Sequence, residues 1–87
     1  MEQQEILNVV LKHLRRNVDG LEEVEIDPAK SMAQYNASSL DIVEVVSASM
    51  RELAIKIPRT RLSQVKNINA LVEVFYEAKT AGQVKTA

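Results

Sequence analysis

Few side chains in this sequence could do chemistry. Cysteine is absent, which removes disulfides, thiolate metal sites and a protein-borne thiol nucleophile, so any sulfur chemistry must use an imported thiol. The single histidine, His13, stands beside Leu14 in an amphipathic stretch, where a boundary or solvent position is expected, and neither a triad nor a metal cluster assembles around it. Asp41 and Glu44 lie three apart and share a helix face. Such a pair could work as acid and base or as half a metal site, although a solvated or partner-recognising face is its commoner use. Two isolated glycines cannot build a phosphate-binding loop. No catalytic or metal-ligating residue is therefore assigned, and no enzymatic activity is expected. What remains is the pair Ser38 and Ser39. A serine at a helix start sits among unpaired amide donors at the positive end of the helix dipole, which favours a phosphate there. Ser39 suits a phosphodiester, while a plain N-cap serine is the more frequent meaning of the same feature.

The elements that must position this serine follow from hydrophobic spacing. Ile6, Leu7, Val10, Leu11 and Leu14 recur at helical intervals and predict a first helix, which Asn17-Val18-Asp19-Gly20 ends with an Asp-Gly turn. A connection of nearly twenty residues follows. It is acidic (Asp19, Glu22, Glu23, Glu25, Asp27), yet Leu21, Val24, Ile26 and Met32 are spaced through it as expected anchors; a long ordered connection of this kind is uncommon and usually functional. Helix two should start at Ser38 or Ser39, because Ser38 with Asp41 three residues on resembles a capping box. Its expected core stripe is Ile42, Val43, Val46, Met50 and Leu53, and Val46→Asp should unfold the protein. Pro58 suits the start of a short third helix ending near Val65. Asn67 can cap a last helix whose face is Ile68, Leu71, Val72, Phe75 and Ala78, with a polar tail from Lys79 expected to fray.

The predicted fold is therefore all-α, three longer helices and one short helix around one core. One domain over residues 1–87 is expected, with an ordered part of about 4–78. Composition agrees: two glycines, two prolines, two tyrosines and one phenylalanine leave too few turn and strand formers for an all-β chain. A hydrophobic content of 46% with a net charge of −1 is that of a chain that folds, not of a disordered one. The same near-neutral charge gives no bulk attraction to nucleic acid or to an anionic membrane. Arg59, Arg61 and Lys66 offer too few phosphate contacts to change that. No apolar run reaches the length of a membrane span, and Met1-Glu2-Gln3-Gln4-Glu5 is acidic where a signal peptide is basic. A cytoplasmic monomer is expected.

The segment Tyr35-Asn36-Ala37-Ser38-Ser39-Leu40-Asp41-Ile42-Val43-Glu44 resembles the attachment site of acyl carrier proteins, written Leu-Gly-x-Asp-Ser-Leu followed by an acid and a helical stripe. Ser39 falls on the modified serine. Ile57-Pro58 matches the Ile-Pro step before the family's short third helix, and Val65, Ile68, Val72 and Phe75 follow its apolar spacing. The similarity covers roughly residues 4 to 78. It implies that a phosphopantetheinyl transferase joins 4′-phosphopantetheine from coenzyme A to the Ser39 hydroxyl. It further implies that acyl groups ride as thioesters on the arm and that acyl-loading and acyl-processing enzymes are the partners. Ser38, Leu40, Asp41, Val43, Glu44, Arg59 and Arg61 are the residues expected at the partner surface.

Two departures from the family pattern bear on function. Ser38 replaces the family's aspartate and Asn36 its glycine. Both changes are mild for the fold, since serine and aspartate are comparable N-caps and asparagine tolerates positive φ, but a negative charge beside the attachment hydroxyl is lost. Arg59, Arg61 and Lys66 also stand in the third-helix region, where carriers of fatty-acid synthesis have acids. That substitution disfavours a uniformly basic partner surface and favours a dedicated one, as in polyketide, lipopeptide or unusual lipid synthesis. Met32, seven residues before Ser39, resembles the shorter loop of synthase-type carriers. Two other uses of the same helices are a peptidyl or aminoacyl carrier, which Tyr35-Asn36 fits poorly in place of Gly-Gly, and a helical interaction module that is never modified.

Overall fold

The computed structural model describes residues 2–63 and 65–86, with the side chains of Arg59 and of residues 81–86 outside the description. Helix α1 spans Gln3–Asn17, α2 Ser39–Leu53, α3 Arg59–Leu62 and α4 Ile68–Thr86, and a 3-10 turn at Met32–Tyr35 interrupts the long connection before α2. These are the three longer helices and one short helix expected. α1 packs mainly against α2 and α4, and α3 lies on α4. Ile6, Val10 and Leu14 of α1, Val45 and Leu53 of α2, and Ile68, Leu71, Val72 and Phe75 of α4 form the core. None of these helices would persist alone, because a helix of 15 residues is marginal in water; the shared burial of their stripes holds them together.

Local chemistry sets the helix ends. The Val18 amide donates to the Leu14 carbonyl at 3.0 Å, and Gly20 turns the chain at φ +88°, a conformation that glycine adopts without a Cβ penalty. Pro58 precedes α3 and its carbonyl accepts from the Arg61 and Leu62 amides. Asn67 caps α4 as expected, its Oδ1 accepting from the Ala70 amide at 2.7 Å. Lys79, placed by its sequence at the start of a frayed tail, donates Nζ to the Leu53 carbonyl at 2.8 Å and so caps the end of α2. The backbone of that expected frayed tail is instead helical through Thr86, while its side chains from Ala81 on lie outside the description.

The long connection is fastened at both ends. Leu21, Ile26 and Met32 are buried anchors, whereas Val24, expected among them, is exposed. Its backbone, not its side chain, is what binds: Arg15 donates to the Leu21 carbonyl at 3.3 Å and to the Val24 carbonyl at 3.2 Å. Further on, the Tyr35 hydroxyl accepts from the Asp27 amide at 2.7 Å. The Lys30 and Pro28 carbonyls accept from the Ile68 and Asn69 amides, so the connection satisfies orphan donors at the start of α4. This bracing delivers the chain to α2 along one defined path.

Two expectations about packing are corrected. His13 is buried, 9% exposed, and not at the solvent boundary. It stands seven residues after Ile6 and three after Val10, on the core stripe, and its Nε2 lies 2.8 Å from Glu52 Oε1. The inward face of α2 is also rotated from the one expected. Val45, Ser49 and Leu53 are the buried residues, while Val43 is exposed and Ile42, Val46 and Met50 are only half-buried against the core. Seven large apolar residues on α2 (Leu40, Ile42, Val43, Val45, Val46, Met50 and Leu53) cover more than one stripe, and a serine in the core disguised which stripe faces inward.

Candidate functional site

The site is the start of α2, and three consecutive backbone devices build it. Asn36 closes the 3-10 turn in the left-handed region, φ +69° and ψ +19°, with its amide bonded to the Ala33 carbonyl. Asparagine is among the few non-glycine residues that visit this region readily. Ala37 then tucks into the core, 7% exposed. Ser38 is the N-cap: its Oγ accepts from the Asp41 amide at 3.1 Å, and Asp41 Oδ2 accepts from the Ser38 amide at 3.0 Å. That is the capping box the sequence suggested.

The box distinguishes the two serines. Ser38 Oγ is engaged in holding the helix start, whereas Ser39 is exposed as the first residue of α2 and its hydroxyl makes no hydrogen bond among the described residues. The Ile42 amide goes to the Ser38 carbonyl and the Asp41 amide to Ser38 Oγ, so the Ser39 and Leu40 amides keep the orphan-donor character of a helix start. A phosphodiester on Ser39 Oγ fits this arrangement: the residue is exposed, and the free amide donors and the helix dipole favour its negative charge.

Around Ser39 the expected partner-facing residues take distinct positions. Leu40 and Val43 are large apolar side chains left 74% and 58% exposed, three apart on one face of α2. Glu44 is exposed beside them, while Asp41 is half-buried with one oxygen in the capping box. On α3, Arg61 is paired through Nη2 with Glu77 Oε2 of α4 at 2.7 Å, so its charge is partly offset, and the Arg59 side chain lies outside the described residues. The far end of the bundle holds a second ionic group. Glu52 accepts from Lys12 Nζ at 2.7 Å and meets His13; the Lys12 hydrogen bond first, then the His13 one, hold its carboxyl below the ordinary value of 4.5. This cluster ties α1 to the last turn of α2, well away from Ser39.

One turn beyond Ser39 a groove of about 720 Å³ opens between α2 and the α3–α4 connection. Its α2 wall is Ile42, Val43, Val46 and Met50, and Leu62 and Val65 face them. The stripe that spacing assigned to the core is thus largely the wall of this groove. The sequence held a clue to the second wall in the Ile57-Pro58 break, which detaches a short helix from α2, but nothing local indicated the void between them.

Comparisons with known proteins agree with this geometry. The family model described as the phosphopantetheine attachment site matches residues 8–84. A polyketide biosynthesis acyl carrier protein, AcpK, from Bacillus subtilis strain 168 is 32% identical over 77 residues, covering 88% of this chain and 94% of the relative. Among solved structures, a chain in the crystal structure of the curacin biosynthetic pathway HMG synthase in complex with acetyl donor-ACP superposes with a TM-score of 0.79 at 28% identity. That match covers 86% of this chain and 96% of the other. No helix among the described residues is long and apolar enough to cross a membrane. With the fold, the helix start and nearly the whole length in agreement, this chain belongs to the phosphopantetheine-bearing family of acyl carrier proteins.

Proposed function

We propose that Ser39 is the residue that carries 4′-phosphopantetheine and that the protein serves a polyketide-type assembly pathway as a dedicated, non-catalytic carrier in the cytoplasm. The observation that carries the assignment is the division of labour between the serines: Ser38 Oγ is occupied by the Asp41 amide and Ser39 is exposed. When bound, the arm supplies the thiol on which acyl groups are held as thioesters. The chain's own residues do the rest. Ser39 offers its hydroxyl to a phosphopantetheinyl transferase, the Ser38–Asp41 box keeps the helix start rigid while it is engaged, and α2 orients whatever is attached.

Leu40 and Val43 give the partner enzymes an apolar foothold next to the attachment oxygen; large exposed apolar side chains of this kind are effective anchors at an interface. The charge around them argues for a dedicated partner. Glu44 is exposed, but one Asp41 oxygen is committed to the cap, and the third-helix region carries Arg61 and Lys66. A uniformly basic docking surface therefore meets less complementary charge than an acidic carrier would give it. Support for the pathway comes from the polyketide relative and from the curacin-pathway complex. A direct test offers the loaded protein in parallel to a polyketide-type partner and to the malonyl transferase and ketosynthase of general fatty-acid synthesis. Transfer to the former at a clearly higher kcat/KM is expected; equal or better service by the fatty-acid enzymes refutes the dedicated role.

A further inference from the structure

Among the described residues that line the groove beside α2, Lys66 is the one charged side chain and no carboxylate is present. Its middle is apolar, and Met32 and Leu71 at its base are 7% and 1% exposed. Its polar residues are not scattered evenly. The Ile68 amide bonds the Lys30 carbonyl at 3.1 Å, which brings Ser31 alongside Asn67, so Ser31, Lys66 and Asn67 gather at one end. Asn67 Oδ1 is occupied by the Ala70 amide. Lys66 forms no ion pair among the described residues, whereas Lys12 is paired with Glu52 and Arg61 with Glu77. An apolar trough with Lys66 among the polar residues of its lining, unpaired among the described residues, is complementary to a molecule that is apolar along its length and anionic at its end.

From this we infer that the groove favours an acyl cargo bearing its own terminal carboxylate and that Lys66 is the residue that selects it. The inference rests on the carrier assignment above and narrows it to a cargo class. Ser39 is not among the lining residues, so a phosphate on its hydroxyl sits outside the groove and is the less suitable partner for Lys66. Because Lys66 is exposed, its preference is modest: an ion pair of this kind shifts an equilibrium by about two- to five-fold and weakens with added salt.

The test uses the full chain loaded by a broad-specificity transferase with either glutaryl or pentanoyl coenzyme A, two five-carbon cargoes that differ in the terminal carboxylate. Cleavage of each thioester by hydroxylamine is measured and normalised to the same thioester on free pantetheine. The glutaryl form is expected to be protected about two- to five-fold more than the pentanoyl form. That difference should disappear in Lys66→Met, persist in Lys66→Arg and shrink at high salt. Backbone and methyl chemical shifts of Val46, Met50 and Leu71 should respond to the glutaryl cargo in the wild type and less in Lys66→Met. Equal protection of both cargoes, or a difference that survives Lys66→Met, overturns the inference. If Lys66→Met alters the shifts around Ser39 in the protein loaded with the bare arm, Lys66 meets the arm's phosphate and the cargo role is likewise overturned. Failure of the wild type to accept either cargo is a different result, one that removes the carrier assignment itself.

Discussion

Ser49 offers the sharpest check on how the bundle is held together. Its side chain is fully buried on α2 and its Oγ has no hydrogen-bond partner among the described residues, although buried hydroxyls normally have one. Leaving a hydroxyl unpaired in an apolar interior costs about 1–2 kcal/mol. Ser49→Ala deletes that oxygen, keeps the Cβ and adds roughly 0.5 kcal/mol of helix propensity. The expected gain is therefore about 1.5–2.5 kcal/mol. Ser47→Ala on the same helix, half-buried at the groove, reports the propensity part alone, about 0.5 kcal/mol. Urea unfolding followed by circular dichroism, with a slope near 1 kcal/mol/M for a chain this short, should move the midpoint by roughly 1.5–2.5 M for Ser49→Ala and about 0.5 M for Ser47→Ala. Loading by a transferase should be unchanged in both, because Ser49 faces the core and not Ser39. If Ser49→Ala is no more stable than Ser47→Ala, or is less stable, the hydroxyl has a partner such as the Val45 carbonyl one turn back, and the reasoning fails.

Three other substitutions test the packing and the electrostatics. Val45→Asp places a carboxylate where exposure is 0% and should abolish cooperative unfolding, while Val46→Asp, at the groove wall, should leave a folded protein by the same far-ultraviolet criterion; the reverse order contradicts the orientation of α2. Glu52 is held below its ordinary value of 4.5 in the folded state, so its contribution is present above that pH and is lost as pH falls through the lowered value. A stability profile between pH 6 and 3 should accordingly be flatter on its acid side in Glu52→Gln, and an unchanged slope excludes the Lys12–Glu52–His13 cluster as a stabilising contact.

How much of this was readable beforehand depended on whether the cause was local. Ser38 with Asp41, Asn36 at positive φ, Pro58 before α3 and Asn67 at the start of α4 are each decided within about four residues, and the structure places all of them as their types suggest. Ser39, the serine proposed to carry the arm, was picked out by the same local pattern. The inward face of α2 was not, since apolar residues surround much of the helix and the residue that completes the buried stripe is a serine. His13 was misplaced because its residue type was weighed above its spacing from Ile6 and Val10. Nothing in the sequence could show that Lys30 would bond to Ile68, that Glu52 would meet His13 or that Arg61 would reach Glu77. These contacts span 38, 39 and 16 residues and exist only once the helices have packed. The groove follows from that packing as well, which is why its wall first read as core.

The central claim concerns one oxygen atom, and intact-mass spectrometry after co-expression with a broad-specificity phosphopantetheinyl transferase tests it most directly. The wild type should gain a single phosphopantetheine adduct, Ser38→Ala should still gain it despite a cap loss of about 1 kcal/mol, and Ser39→Ala should gain none while remaining folded. An unmodified wild type, or an adduct that survives Ser39→Ala, contradicts the account.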